Sequence, residues 1–215
     1  MTAEPGLSFE AFAHANLPPP PARVLEVGCG AGELARALAS RGHRVTAIDP
    51  RAPSGEPFQR VSLEEFADAS SFDAVIANRS LHHIHDLPAA VVKIRALLRP
   101  GGRVIVAEHA WERVDDRTAR WFVDRHAEAH PGAASRSAEE WMERREREHA
   151  GLHGYGALRS ALDERFRERF FAWTPYLHSE LPGVTEEDEA RLIERGELAA
   201  TGFRYVGERV DAAVA

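Results

Sequence analysis

Three glycines within five residues, Gly28, Gly30 and Gly32, follow the apolar run Val24–Val27 and precede a helix-forming stretch that begins at Glu33. A strand that ends in glycines and restarts as a helix brings backbone N–H groups up to a ligand. No side chain blocks that approach, and glycine tolerates the φ > 0 such loops require. The spacing is Gly-x-Gly-x-Gly. A nicotinamide or flavin loop, Gly-x-Gly-x-x-Gly, would need glycine at position 33, where glutamate stands. A carboxylate, Glu26, also sits two residues ahead of the first glycine in a strand otherwise made of Val and Leu. Burying it is unfavourable unless it is hydrogen-bonded or meets a positive charge. A pyrophosphate would be repelled there, and a cationic ligand would not.

Around this loop the pattern alternates. Strands are expected at Val24–Val27, Val45–Ile48, Asp73–Ala77 and Arg103–Ala107. Between them, amphipathic helices are expected at Glu33–Ser40 and over the stretch LPAAVVKIRALL, with Leu87, Val91, Ile94, Leu97 and Leu98 on one face and an end at Pro100-Gly101-Gly102. Short apolar strands interleaved with helices imply a parallel sheet covered on both faces. Residues 1–22 read as an N-terminal helix (7–16, with Leu7, Phe9, Phe12 and Ala13 on one face) and a proline linker, and residues 23–215 as the main domain.

After His109 the alternation stops. Residues 111–165 are rich in Arg, Glu and His and read as a helical insertion or lid, in which Ser137 and Glu140 have capping-box spacing. Strand character returns at 169–173 and 202–209, with a helix between them. The chain of 215 residues has a formal charge of −7, which disfavours a nucleic-acid partner. Its single cysteine, Cys29, can form no internal disulfide, and the first residues lack a basic and an apolar leader segment. No apolar run reaches the ~20 residues that span a bilayer. The expectation is a cytoplasmic protein with no membrane partner.

These residues resemble the class I S-adenosylmethionine-dependent methyltransferases of small-molecule type, whose first motif is an acidic residue followed by x-Gly-x-Gly-x-Gly. VTAIDP resembles the family's second-strand motif, FDAVIANRSLHHIHDL its fourth and LLRPGGRVIVAEH its fifth; GFRYVGER resembles its last antiparallel strand. The resemblance implies an α/β fold with a doubly wound, mostly parallel seven-stranded sheet, Rossmann-like, and a helical insertion towards the C-terminal half. It implies S-adenosyl-L-methionine as cofactor, S-adenosyl-L-homocysteine as product and a small-molecule acceptor with O or N as the methylated atom. The implied cofactor-binding residues are Glu26, Gly28, Cys29, Gly30, Gly32, Asp49, Pro50, Ser62, Leu63, Glu64 and Asn78, with Asp49 on the ribose hydroxyls and Arg51 beside Pro50 at the ring. Ser62 or Glu64 stands where many members carry an acidic residue for the adenine amino group, and which of the two serves is left open.

Methyl transfer needs alignment more than a fixed catalytic group. Where the acceptor is a hydroxyl, a histidine base helps, and His83, in the SLHHIHD stretch after the fourth strand, is the candidate. Arg79, His83, His109, Trp111, Trp141 and Tyr155 are the candidate acceptor contacts. No metal site is expected: His82, His83 and His85 point apart from one loop, His126 and His130 lack the zinc-helix glutamate, and Asp86 and Glu108 do not reproduce a catechol-type metal set. Asn78-Arg79-Ser80-Leu81 is not the Pro-Pro turn of nucleic-acid amino methyltransferases. The competing reading is a non-catalytic scaffold of the same fold acting through the charged 136–149 helix.

Overall fold

The computed structural model of the chain describes residues 8–68, 71–131 and 137–211. Its sheet contains β1 (Arg23–Val27), β2 (Arg44–Ile48), β3 (Phe58–Gln59), β4 (Phe72–Asn78), β5 (Leu98–His109), β6 (Arg167–Thr174) and β7 (Gly202–Glu208). Their order is β3-β2-β1-β4-β5-β7-β6. Strands β1 to β5 pair in parallel, and β7 runs antiparallel between β5 and β6. The expected doubly wound, mostly parallel seven-stranded sheet is therefore the sheet observed. The chain winds outwards in both directions from the β1–β4 pair, which opens a crevice beyond the carboxyl ends of those two strands.

Alternation along the strands divides the core. Leu25, Val75, Val104 and Val106 face α3 (Leu87–Leu97) and α6 (Tyr155–Asp163), whose Val91, Ile94, Leu158 and Leu162 close that side. Val24, Ala74, Ile76 and Ile105 face the other way, against Phe12 and Ala13 of α1 (Phe9–Asn16) and Leu38 of α2 (Glu33–Ser40). Strands buried on both faces read as near-continuous apolar runs, the pattern seen in the sequence.

Two boundaries differ from expectation. The third helix ends at Leu97, and Leu98 opens β5 opposite Phe72. Pro100 disfavours helical backbone at Arg99, so the chain turns into the sheet before the glycines are reached. The two-residue β3 has no counterpart in the sequence reading, being too short to show a period. Leu7, placed on the first helix face, lies outside the described residues.

Helices α4 (Asp116–Ala129) and α5 (Ala138–His149) share a small core of their own, Phe122 and Trp141 with Leu177 of a 3₁₀ turn at Leu177–Glu180 and Leu181 just after it. By contrast, α6 belongs to the main core. The Ser137–Glu140 capping box forms at the start of α5. The 3₁₀ turn is fixed by Glu189 of α7 (Glu186–Glu194), a fully buried carboxylate. It accepts from the amides of Tyr176 (3.0 Å), Leu177 (3.2 Å) and His178 (2.7 Å), and lies 2.9 Å from His178 Nδ1. Glu189→Gln replaces one acceptor oxygen by a donor facing donors, so unfolding in urea should register a loss of about 2–3 kcal/mol; an unchanged midpoint and slope would remove this carboxylate from the account of the turn.

Candidate active site

The glycine loop is tied to β2 as well as to itself, Gly32 N donating to Cys29 O at 2.8 Å. Gly28 N donates to Ile48 O at 2.8 Å, Cys29 N to the same oxygen at 3.2 Å, and Gly30 N to Asp49 Oδ2 at 3.1 Å. The three glycines have φ of +76°, +51° and +81°, all in the left-handed region. They are not equivalent. A Cβ on Gly28 would run into Ser80 Cβ, and one on Gly32 into the Phe58 ring, whereas one on Gly30 meets nothing within 4 Å. Gly28 and Gly32 are thus glycine for the fold's own packing, and Gly30 leaves an open cradle.

Glu26 lies at the foot of this loop, 4% exposed, and its Oε2 has no hydrogen-bond partner. Burial pushes its carboxyl up to about 7, opposed by the Ala35 amide near the start of α2 and reinforced by the charge of Asp49. Asp49, at the end of β2, accepts from Arg51 N at 2.7 Å as well as from Gly30 N. Each of its oxygens keeps a lone pair for a further donor such as a hydroxyl. Burial, with the charges of Glu26 and Asp49, raises the Cys29 thiol to about 11, which makes it an inert small side chain rather than a nucleophile.

Of the remaining cofactor candidates, Pro50 is exposed beside Asp49. Ser62 Oγ is engaged with Glu65, accepting from its amide at 3.3 Å. Leu63 is buried in the main core, and Glu64 is exposed with its carbonyl bound to Lys93. Asn78 ends β4 opposite Ala107.

Beyond β4 the chain is held by a second buried carboxylate, Glu108, which is 1% exposed. Its Oε1 accepts from Ser80 N (2.8 Å) and Leu81 N (2.7 Å), and its Oε2 lies 2.5 Å from His82 Nδ1. Ser80 Oγ in turn donates to Val27 O at 2.8 Å, linking this turn to the glycine loop. His83 is exposed at the turn's outer side, its ring 4.0 Å from that of His82. Its pKa is held below the usual histidine range by partial burial, with His82 as the next cause.

His109, at the end of β5, stacks on Tyr176 with centroids 3.9 Å apart and planes 4° from parallel. Burial and the Arg145 guanidinium push it down to about 2, so it is neutral at physiological pH. Arg145 of α5 forks onto Glu180 at 2.9 and 3.0 Å and touches the His109 ring at 3.3 Å, joining the helical cap to the sheet edge. Trp111 lies against His149 at 4.6 Å and, with Trp141, lines a cavity of about 480 Å³ on the cap. Tyr155 packs among Trp173, Phe203 and Phe171 in the main core. Arg79, His83 and His109 therefore gather around the ends of β4 and β5, while Trp141 and Tyr155 belong to two separate aromatic clusters. His126 and His130 stack on each other at 4.4 Å, and among the described residues no three His, Cys, Asp or Glu side chains converge as a metal site.

A profile described as a methyltransferase domain matches residues 7–152, more than half of the chain. The chain belongs to the methyltransferase-domain family. Among curated relatives, it is 38% identical over 111 residues to a ubiquinone biosynthesis O-methyltransferase of Xanthomonas axonopodis pv. citri, covering 45% of this chain and 46% of that protein. It is 35% identical over 116 residues to an uncharacterized methyltransferase of Mycobacterium bovis, covering 46% and 57%. The chain thus spans about half the length of these relatives. The fold matches that of an S-adenosylmethionine-dependent methyltransferase from Mesorhizobium loti (TM-score 0.58, 18% identity, 95% and 99% of the two chains). It also matches a Burkholderia thailandensis 1,6-didemethyltoxoflavin-N1-methyltransferase solved with its substrate and S-adenosylhomocysteine (TM-score 0.53, 22% identity, 94% and 76%). The Mesorhizobium neighbour is named for S-adenosylmethionine and the Burkholderia one holds S-adenosylhomocysteine; the loop of this chain would fit such a ligand on two counts, since an orphaned buried carboxylate oxygen suits a cation and Gly30 leaves backbone open to approach.

Neither the role of Glu108 in holding the 80–82 turn nor the Arg145–Glu180 fork follows from the sequence patterns above. For Glu108 a signal was present, a carboxylate in the buried strand VIVAEH, of the same kind that drew attention to Glu26. The fork joins residues 35 apart and has no local signal. Gly28→Ala should destabilise the fold by about 2–4 kcal/mol, from left-handed strain together with the clash at Ser80. Gly30→Ala should lose only about 1–2 kcal/mol yet weaken binding of S-adenosylhomocysteine more than tenfold. Thermal melts and calorimetric titration of the two variants would expose the opposite ranking if the loop works otherwise.

Proposed function

We propose that this methyltransferase transfers the methyl group of S-adenosylmethionine to an oxygen or nitrogen of a small molecule. The observation that carries the reading is the unpartnered carboxylate oxygen of Glu26 beneath the glycine loop. When bound, S-adenosylmethionine supplies a methyl on positively charged sulfur, already activated for in-line displacement. The protein's part is then to hold, orient and exclude water. In this reading Glu26 receives the cationic amino-acid end, Gly28, Cys29, Gly30 and Gly32 offer the backbone cradle, and Asp49 accepts from the ribose hydroxyls. Pro50 and the 62–64 turn flank the adenine, with Leu63 as its apolar floor, because the Ser62 hydroxyl is engaged by Glu65. Asn78 borders both halves of the site. The helical cap acts as the lid over the acceptor, and the enzyme works in the cytoplasm.

His83 is the group best suited to take a proton from an acceptor hydroxyl. It is exposed at the turn beyond β4, and its lowered pKa keeps it neutral, hence able to accept, near pH 7. His109 is too weak a base at about 2 and serves as a flat wall. The ubiquinone relative is named for methyl transfer to oxygen and the Burkholderia enzyme for transfer to nitrogen, and both acceptor atoms stay within the proposal. The scaffold alternative is disfavoured: in α5, Arg144–Glu148 and Glu143–Arg147 are exposed same-helix pairs, while Trp141 and Arg145 turn inward.

Glu26 makes the reading testable. Its penalty is absent below the unfolded value of 4.5 and grows as pH rises towards 7, reaching about 3 kcal/mol above that. Glu26→Gln should therefore stabilise the ligand-free protein at pH 8, flatten the fall in stability between pH 4.5 and 7, and weaken S-adenosylhomocysteine at least tenfold. Wild-type binding near pH 6 should also release a proton, read by titrating in buffers of different ionisation enthalpy. Failure of the wild type to bind S-adenosylhomocysteine would end the methyltransferase reading. Asp49→Ala should weaken the same ligand by about 1–3 kcal/mol. With donor and a metabolite extract, mass spectrometry should find a product heavier by one methylene.

A further inference from the structure

We propose that the methyl acceptor is an organic acid whose carboxylate is bound by Arg79. The inference rests on the methyltransferase reading and names its acceptor class. A cavity of about 150 Å³ opens where β4 and β5 end and β7 begins, with Asn78, Arg79, Glu108, Tyr176, Phe203 and Arg204 among its lining. It is well below the roughly 300–1,000 Å³ of pockets that enclose a drug-sized molecule. It suits one ring or a short chain, or the reacting end of something longer.

The charges around this cavity are matched except at one place. Glu108 is saturated by two amides and His82. Arg204 binds Glu186 at 2.7 Å, and His178 lies against Glu189. Arg79 has no carboxylate within 4.0 Å among the described residues. Its Nη1 donates to the neutral Ser179 hydroxyl at 3.3 Å, and its guanidinium lies 5.8 Å from the centroid of Tyr176. One side of the Tyr176 ring system is already taken by stacked His109.

The backbone adds an independent observation. Arg79 is the one non-glycine residue with positive φ (51°) among the described residues. Left-handed backbone is unfavourable at such a residue, and glycine or asparagine would avoid most of the strain. The conformation is fixed from outside, because Arg79 N donates to Ala107 O at 2.8 Å as the chain leaves the sheet. A long cationic side chain at a strained position beside the crevice is the pattern of strain retained for a ligand. A guanidinium presents two parallel N–H groups that match a carboxylate, and Tyr176 supplies apolar wall for the acid's body.

The test uses the full chain saturated with S-adenosylhomocysteine and matched probes: 4-hydroxybenzoate, 4-aminobenzoate and 3-hydroxybutyrate, each beside its primary amide. Calorimetry should find at least one acid bound about tenfold or more tighter than its amide. Arg79→Gln should erase that preference while leaving affinity for the amide and for S-adenosylhomocysteine unchanged, and Arg79→Lys should retain part of it. Arg79→Gly, which relieves the strain, should melt higher than wild type and also lose the preference. The proposal is overturned if no acid binds, if acid and amide bind alike, or if Arg79→Gln keeps the preference. The same samples titrated with S-adenosylhomocysteine separate the two ideas: normal binding of that ligand without acid preference removes only the acceptor class, and loss of it in wild type removes the methyltransferase reading itself.

Discussion

A buried carboxylate must find positive charge or N–H groups, and the working edge of this sheet is organised by three that solve the problem differently. Glu108 meets the amides that follow β4. Glu189 meets the amides that open the 177–180 turn. In both, the chain's own backbone completes the coordination, and the reward is a loop fixed in one conformation. Glu26 keeps one oxygen without a partner and has its carboxyl raised to about 7. Two carboxylates thus build the walls of the crevice, and the third is left for something that arrives. The structure thus bears an unfavourable interaction at Glu26, and on the proposed function a bound cation would relieve it, a common relation between stability and function.

Those parts of the fold governed by local rules were legible in the sequence. Val24–Val27 and Asp73–Ala77 announce buried parallel strands, and the glycines announce a loop that closes on something. The missed strand β3 and the early end of α3 are decided by pairing with β2 and β4, which no short window contains. The site divides along the same line. Residues of the loop and of the strand tips each stand at a fixed offset from a strand end, which is why the sequence can single them out as candidates. Tyr155 and Trp141 were picked for their aromatic character, and the structure gives each an apolar cluster of its own. Aromatic side chains bury large areas whatever their role, so type alone does not separate core from pocket.

The helical cap depends on the sheet for its position. Its private core is small, and the 3₁₀ turn that contributes Leu177 and leads into Leu181 is held by Glu189. Arg145 then reaches from α5 to His109 and Glu180 at once. One guanidinium therefore reports the placement of the cap to the end of β5.

The same arrangement explains why the site can be so poor in proton-transfer groups. His82 is bound to Glu108, and His109 is too weak a base, stacked flat on Tyr176 beneath Arg145. What remains around the ends of β4 and β5 is a neutral His83 at the rim, an uncompensated Arg79 and aromatic wall. An enzyme that had to generate a strong nucleophile would be badly served by such a set. Displacement at a carbon activated by its own leaving group asks mainly for orientation, and orientation is what a fixed cation, a flat stack and a rigid backbone cradle provide.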